Sequence, residues 1–249
     1  MYFKTEGLIL RETEYKDSDK LLTVLTKDRG RLTLRARGVR SKSSKLKSGC
    51  QLLAYSEFTV YENSKSMLVD EAVPIELFIR LREDIELLSL ASYFAQVAEV
   101  LSQEDDPNPA LLSLCLNAVY ALSKLNRSQN LVKAAFELRA ACLAGYEPVL
   151  NQCAVCGCSE PDLFHISAGV LTCTACLLPE EPGVRLPVHS GTLAAMRYIV
   201  HCDLKRLFSF SLGEGSLREL CDLTEAYLLS QLERGFFTLD FYKSLRISL

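Results

Sequence analysis

Residues 5–40, TEGLILRETEYKDSDKLLTVLTKDRGRLTLRARGVR, predict the fold of the first part of the chain. They contain three runs rich in Leu, Val, Ile and Thr, separated by Asp, Ser and Gly, which is typical of short β-strands joined by turns. Two similar runs, LAYSEFTVYE and MLVDEAVP, follow in residues 53–74. Five strands in about 70 residues favour a small closed barrel, although an SH3-like barrel or an open meander would show the same pattern.

The third of these runs is also the most basic part of the chain. Because successive side chains of a strand point to opposite faces, GRLTLRARG (30–38) places its arginines on one face and its leucines on the other. The next stretch, GVRSKSSKLKSG (38–49), predicts a flexible loop, and only Asp28 is acidic between residues 27 and 47. Such a row of cations suits a phosphodiester backbone. The candidate DNA contacts are Arg29, Arg31, Arg35, Arg37, Arg40, Lys42, Lys45 and Lys47.

The total charge hides an asymmetry between the two parts of the chain. The 249 residues have a formal net charge of −3, with 49% hydrophobic and 24% charged residues, as expected for a soluble globular protein. Residues 1–80 contain 15 basic and 11 acidic side chains, whereas the rest contains 13 basic and 20 acidic ones. This split favours one domain that meets polyanions and a second domain with another task. Five aromatic residues of the first part could stack on bases: Tyr2, Phe3, Tyr15, Tyr55 and Tyr61.

The period of the apolar residues changes after Pro74 and then indicates helices. Apolar residues lie at helical spacing from Ile75 to Gln103, and DDPNP (105–109) ends this pattern. Further amphipathic helices are expected at four places: Ala110–Leu125, Leu131–Ala144, Ser190–Cys202 and Gly215–Gly235. We therefore predict an α+β protein with a barrel domain in residues 1–80, a mainly helical domain in residues 81–249 and an insertion at 150–188.

The insertion contains five of the ten cysteines. Cys153, Cys156, Cys173 and Cys176 form the pattern C-x2-C-x16-C-x2-C, which is typical of a structural zinc site. Four thiolates would fill a tetrahedron and leave no open position for a substrate, so the zinc is expected to stabilise the fold. The fifth, Cys158, could replace Cys156 as a ligand. The isolated cysteines (50, 115, 142, 202 and 221) are expected to be small buried apolar residues.

The sequence lacks the common catalytic and targeting motifs. The sequence contains no P-loop, no complete dinucleotide-binding loop, no H-E-x-x-H and no G-x-S-x-G. It also has no apolar run that approaches the length of a membrane span and no signal-peptide pattern. We therefore expect a cytoplasmic protein that is not an enzyme, and that takes neither a membrane nor a small-molecule substrate as partner.

Three stretches together resemble the RecO family of bacterial recombination mediators. They are the segment at 5–40, the helix end AFELRAACLAGYEPVLNQCAVCG (135–157) and the second cysteine pair in VLTCTAC (170–176). The resemblance runs in order over nearly the whole chain. It implies an N-terminal OB-fold, a helical domain and a zinc-binding insertion, with the family's zinc cysteines matching Cys153, Cys156, Cys173 and Cys176. The family's DNA surface matches the basic stretch from Arg31 to Lys47.

The resemblance also implies a function. Members bind single- and double-stranded DNA, anneal complementary strands and work with RecR and the single-stranded-DNA-binding protein to load the RecA recombinase on gaps. A nucleoid-associated place in a bacterial cytoplasm follows from that function. Two alternatives stay open at this point: a zinc-dependent nuclease, and a zinc-stapled protein-interaction scaffold without affinity for DNA.

Overall fold

A computed structural model describes residues 1–64, 66–176 and 183–247 of the chain. These residues form two compact units. Unit 1 contains residues 1–126 together with the C-terminal segment from Phe236, and unit 2 contains residues 127–235. No helix in the described part of the chain is both long and apolar enough to span a bilayer.

Unit 1 contains the closed five-stranded barrel that the sequence predicts. Neighbouring strands follow the order β1-β2-β3-β5-β4, and β4 pairs back onto β1. All pairs are antiparallel except β3 with β5, which run parallel. This arrangement is that of an OB-fold, and it excludes a simple meander. The strands are β1 (Tyr2–Tyr15), β2 (Asp19–Thr26), β3 (Arg31–Ala36), β4 (Tyr55–Asn63) and β5 (Ser66–Glu76).

The alternation expected for β3 is confirmed. Leu32, Leu34 and Ala36 are buried in the barrel core, while Arg31 and Arg35 lie half-buried on the outer face. At the start of this strand Gly30 has a φ of +65°, and a Cβ there would lie 2.6 Å from the carbonyl oxygen of Gln103. Glycine is therefore required in the β2–β3 turn, because this turn packs against Gln103, which follows the helix that ends at Leu101.

The connection between β3 and β4, residues 37–54, is a series of turns rather than an open flexible loop. We call it the turn segment. Val39 and Cys50 anchor it, since both are buried among the core residues of the barrel. Its end is held by two backbone hydrogen bonds between β1 and the turn segment, in which Leu53 donates to Ile9 and Ile9 donates to Ala54. The basic side chains of this segment consequently project from an ordered base.

The helix expected from Ile75 begins only at Ile85. Strand β5 continues to Glu76, which pairs with Tyr55, and the short helix α1 (Arg80–Glu83) follows. Asp84 then caps α2, because its carboxylate accepts two backbone N–H groups of the first turn. The remaining helices of unit 1 are α2 (Ile85–Leu101), α3 (Pro109–Ser123) and α7 (Phe237–Ile247).

The described residues of unit 2 form three α-helices and a small sheet. The helices are α4 (Gln129–Leu143), α5 (Ser190–His201) and α6 (Glu214–Gln231). Gly145, at a φ of +91°, follows α4 as predicted for a helix C-terminus. The sheet has the order β6-β8-β7-β9 and occupies the predicted insertion, of which residues 177–182 lie outside the described residues. Its strands are β6 (Val149–Cys153), β7 (Leu163–His165), β8 (Val170–Thr172) and β9 (Arg185–Pro187).

Candidate functional site

A shallow groove crosses the outer face of β2 and β3. It has a volume of about 610 Å³ and lies between the ends of the β1–β2 and β4–β5 connections. In OB-folds the β2–β3 face and these two connections hold oligonucleotides and oligosaccharides. The groove is lined by Tyr15, Leu21, Thr33, Arg35, Arg37, Asn63, Ser66 and Met67.

The groove continues toward the start of β3. A second depression of about 250 Å³ shares Thr33, Asn63, Ser66 and Met67 with it. Beyond the shared residues this depression is lined by Arg31 and by Glu104 and Asp105 of the α2–α3 connection. One end of the groove is therefore basic and the other is partly acidic.

Four of the eight predicted DNA contacts have intramolecular partners. At the start of the basic stretch, the Arg29 guanidinium forms an ion pair with Glu62 at 3.3 Å and lies 4.0 Å from the centre of the Phe3 ring. The Nη1 group of Arg31 donates to the backbone carbonyl oxygen of Glu99 at 2.7 Å. Both side chains thus help to hold unit 1 together.

The other two paired arginines contact the β1–β2 hairpin. Arg35 Nε donates to Asp19 Oδ2 at 2.8 Å, and Asp19 Oδ1 accepts the backbone N–H of Gly38 at 2.8 Å. The Gly38 amide and the Arg35 guanidinium hold the pKa of the Asp19 carboxyl below its usual value. Arg40 pairs with Glu14 at 3.2 Å, and this contact is looser because the Glu14 side chain is 69% exposed.

The remaining four candidates have free cationic groups. Within residues 1–64, 66–176 and 183–247, no carboxylate forms an ion pair with Arg37, Lys42, Lys45 or Lys47. All four are exposed. Their positive charge is therefore available to an external anion, and the eight-residue set as a DNA site stays a prediction.

The five aromatic candidates lie in different environments. Tyr15 borders the groove, and the Arg35 guanidinium lies 5.0 Å from the centre of its ring. Tyr2 and Tyr61 form an exposed pair across β1 and β4, with ring centres 5.0 Å apart. Tyr55 is committed elsewhere, because its hydroxyl donates to Glu6 at 2.6 Å and burial raises the pKa of its phenol. Only Tyr15 of this set lines the groove in the described part of the chain.

The second candidate site is the cysteine cluster of unit 2. The Sγ atoms of Cys153, Cys156, Cys173 and Cys176 all lie within 4.8 Å of one another. Those of Cys156 and Cys173 are 3.8 Å apart. A tetrahedral zinc–thiolate centre with Zn–S bonds of about 2.3 Å has sulfur–sulfur distances of about 3.8 Å. The four thiols therefore have the donor set and the spacing needed to hold a metal ion.

The backbone around Cys153 favours a thiolate at this residue. Amide groups of Cys156, Val155 and Cys173 hydrogen-bond to the Cys153 sulfur, and the Cys156 amide makes the largest contribution to lowering the pKa of this thiol to about 6. Gly157 has a φ of +74°, and its amide donates to the carbonyl oxygen of Cys153 at 3.0 Å. This turn brings Cys156 back toward Cys153.

Cys158 does not belong to this cluster. Its side chain is exposed, and its Sγ atom accepts the backbone N–H of Glu160 at 3.5 Å. Its carbonyl oxygen accepts the N–H of Cys153 at 2.8 Å, so its backbone supports the turn. The structure thus separates the four clustered thiols from the fifth.

Sequence reasoning missed the acidic partners of the basic stretch. Between residues 27 and 47 only Asp28 is acidic, but folding brings Glu14, Asp19 and Glu62 onto its arginines. Two of these acids, Glu14 and Asp19, could have been found from the predicted β1–β2 hairpin. Because β2 pairs with β3, the acidic residues at the tip of this hairpin must lie near the end of the basic strand. The groove-lining Asn63 and Ser66 carried no charge or motif that could have identified them.

These features define the class of protein: an OB-fold barrel with an exposed groove, accompanied by a helical unit that carries a four-thiol cluster. The family models narrow this class. The model described as the Recombination protein O N terminal matches residues 1–78, and that of the Recombination protein O C terminal matches residues 82–240. The chain belongs to the Recombination protein O, or RecO, family.

Curated relatives agree over nearly the full length. The chain is 34% identical over 247 residues to "DNA repair protein RecO" of Acetivibrio thermocellus, which covers 98% of this chain and 97% of that protein. It is 29% identical to the protein of the same name from Desulforudis audaxviator, covering 99% and 98%. The corresponding protein of Alkaliphilus metalliredigens is 27% identical, covering 98% and 100%.

Proposed function

We propose that this chain acts in DNA repair as a recombination mediator without covalent catalysis. It binds single- and double-stranded DNA through the barrel, anneals complementary strands and, with RecR and the single-stranded-DNA-binding protein, helps to load the RecA recombinase on gaps. The names of the relatives support a role in DNA repair. Its place of action is the bacterial cytoplasm, at the nucleoid.

One observation carries the DNA-binding part of this proposal. The groove on the OB face has Arg37 at its rim, and Lys42 and Lys45 of the turn segment are exposed cations without an ion pair in the described residues. Arg37, Lys42 and Lys45 neutralise phosphates, while Tyr15 offers a ring on which a base can stack. Arg29, Arg31 and Arg35 add to the positive potential from fixed positions.

Annealing then follows from electrostatics. Neutralised phosphates repel each other less, so two strands can approach while the bases remain free to pair. Such a process needs no ATP and no reacting side chain. It also predicts that affinity falls steeply with salt, because each phosphate contact releases a counterion.

The metal of the cysteine cluster is, in this proposal, a structural zinc ion. Cys153, Cys156, Cys173 and Cys176 hold it. The ion supplies a cross-link between the two turns that carry the pairs Cys153/Cys156 and Cys173/Cys176, which we call the two knuckles. Four thiolates complete a tetrahedron, which leaves no position for a water nucleophile. This donor set favours the mediator over a zinc-dependent nuclease.

The test is a titration of labelled single-stranded DNA at two salt concentrations, followed by annealing of complementary strands without ATP. The triple variant Arg37→Ala, Lys42→Ala, Lys45→Ala is expected to bind more weakly. Its log–log salt slope should decrease by about 2, since each lost contact with a single strand contributes about 0.7.

A matched control removes three exposed cations from unit 2: Lys205→Ala, Arg206→Ala and Arg218→Ala. It changes the net charge equally and is expected to keep the wild-type slope. Equal losses of DNA affinity in both triple variants would contradict the placement of the DNA-binding site on the barrel. Absence of wild-type binding at moderate salt would favour the scaffold, and strand cleavage that a chelator abolishes would favour a nuclease.

A further inference from the structure

The tip of the β1–β2 hairpin has two faces that line different depressions. Tyr15 of β1 and Leu21 of β2 line the groove. Their neighbours Glu14 and Lys20, which pair with each other across the hairpin, line a separate pocket. Adjacent residues of a strand point to opposite faces, so a single layer of strand separates the groove from this pocket.

This pocket, which we call the hairpin pocket, is rich in cations. It has a volume of about 420 Å³, within the range of pockets that bind small ligands. Three cations and one carboxylate are among its lining residues, and the turn segment supplies all three of the others. The lining consists of Glu14, Lys20, Val39, Arg40, Lys47, Cys50 and Gln51.

The cations at the rim of the pocket are available to an anion. Lys47 is exposed and has no ion pair in the ranges that the structure describes. Arg40 is held by Glu14 at 3.2 Å, but ion pairs between side chains as exposed as these contribute little to stability. A phosphate can therefore replace the Glu14 carboxylate on Arg40 at small cost, and the planar guanidinium can bind two of its oxygens.

The base of the hairpin pocket is apolar, and its third cation, Lys20, is held in place by an ion pair. Val39 and Cys50 are buried to 3% and 1% exposure, and burial raises the pKa of the Cys50 thiol to about 12, so that it stays uncharged. Lys20 is held by Glu12 at 2.9 Å. An anion in the pocket would thus meet cations on its rim and a neutral floor, where electrostatic attraction is screened less than in open water.

We propose that the hairpin pocket binds a backbone phosphate of a second DNA strand while the groove holds the first. This inference rests on the proposed function and adds to it a second strand-binding site on the same barrel. Annealing requires that one protein hold two strands close together, and the hairpin places two cationic depressions only one strand layer apart. Arg40 and Lys47 belong to the second site, whereas Arg37, Lys42 and Lys45 belong to the first.

The test measures how many strands one chain binds. A labelled oligo(dT) of about 10 nucleotides, within the site size of one OB-fold, cannot pair with itself and is titrated into the full-length protein. The wild type is expected to bind two strands, the second more weakly. The variant Arg40→Gln, Lys47→Gln should bind one.

The matched comparison is Lys42→Gln, Lys45→Gln, which removes the same charge from the same segment outside the pocket. It should weaken the binding of the first strand more than that of the second. The variant Arg40→Gln, Lys47→Gln should have the opposite effect. Glu14→Gln should strengthen the second strand, because it removes the carboxylate that competes for Arg40. A further control, Lys205→Gln, Arg218→Gln, should change neither strand.

Three results would overturn this inference while leaving the proposed function intact: a wild type that binds one strand, a pocket variant that still binds two, or a loss of the second strand that is equal in both glutamine pairs. A wild type that binds no strand would instead refute the proposed function itself.

Discussion

At the scale of single residues, Asp19 connects three parts of the barrel. It begins β2, its Oδ2 accepts from Arg35 of β3, and its Oδ1 accepts the amide of Gly38 at the start of the turn segment. The side chain is only 9% exposed. Hydrogen bonds to a buried charged group contribute about 1.5–3 kcal/mol, so this contact fixes the base from which the basic side chains project.

Replacing this carboxylate gives the first stability prediction. Asp19→Asn keeps the shape but loses the charge, and we expect it to lower the free energy of unfolding by about 1.5–3 kcal/mol at neutral pH. The folded pKa of Asp19 lies below its unfolded value, so its contribution is present above the unfolded pKa and is lost as pH falls through the folded pKa. In urea unfolding measured at several pH values, the free energies of unfolding of the variant and the wild type should converge below about pH 4.

A control variant checks the cause of this pH effect. Asp17→Asn removes a carboxylate from the same hairpin that forms no ion pair in the described residues, and it should leave the pH dependence of stability unchanged. If the gap between Asp19→Asn and wild type persisted unchanged into the acid range, the charge of Asp19 would not be the source of its contribution.

Residue patterns predicted the faces of β3 but not the partners of its arginines. The alternation in GRLTLRARG follows from strand geometry, which is local, and burial confirms it. The pairing of Arg35 with Asp19 spans 16 residues and depends on the register of β2 against β3. Local sequence therefore identifies which cations face outward, and only the tertiary structure shows which of them are neutralised.

At the scale of elements, the two cysteine knuckles form one centre from two separated turns. The first knuckle ends β6, and the second is a short 3-10 helix, Thr174–Cys176, that follows β8. β6 and β8 are neighbours in the sheet and run parallel, which brings their ends together. The Asp162 carboxylate accepts both the amide and the hydroxyl of Thr174 at 2.7 Å and so holds the second turn.

The four clustered thiols and the separate fifth one make a sharp metal prediction. We expect metal analysis to find one zinc ion per chain in the wild type, and the double variant Cys156→Ser, Cys173→Ser to lose it, because each cysteine pair loses a ligand. Cys158→Ser should retain it, since this side chain lies outside the cluster. A chelator should make the insertion sensitive to protease in wild type and in Cys158→Ser alike.

Two results would contradict this assignment. Loss of zinc from Cys158→Ser would mean that the fifth thiol is a ligand, and full zinc content in the double variant would mean that the ion is bound elsewhere.

The spacing of the cysteines identified all four members of this cluster, whereas the spacing of the apolar residues identified the helices less completely. Two C-x2-C pairs specify a donor set in the sequence itself, so four residues could be named without a fold. The helix expected from Ile75 shows the opposite case. The 75–84 stretch has apolar residues at helical spacing, but β5 continues to Glu76, which pairs with Tyr55 of β4. Tertiary pairing overrides local periodicity in that stretch.

At the scale of the whole molecule, the chain returns to the first unit at its end. Phe236 and α7 pack against α2: the rings of Phe236 and Tyr93 lie 5.5 Å apart, and Thr238 donates to Gln96 at 2.5 Å. Both aromatic residues are almost fully buried. The barrel therefore shares a unit with α1, α2, α3 and α7, whereas the predicted domains divide the chain between residues 80 and 81. That boundary remains a proposal about which parts unfold independently.

Two neighbouring phenylalanines test how the molecule divides. Phe236 is 1% exposed and Phe237 is 73% exposed. Phe236→Ala should lower the free energy of unfolding by about 3–5 kcal/mol, because it leaves a cavity beside Tyr93, while Phe237→Ala should have little effect. Hydrogen exchange should show the loss in α2, with α4 and α6 keeping their protection if the two compact units unfold separately. Equal loss in α2, α4 and α6 would instead support one helical domain in residues 81–249, and unchanged exchange in α2 would contradict the packing of the C-terminal segment.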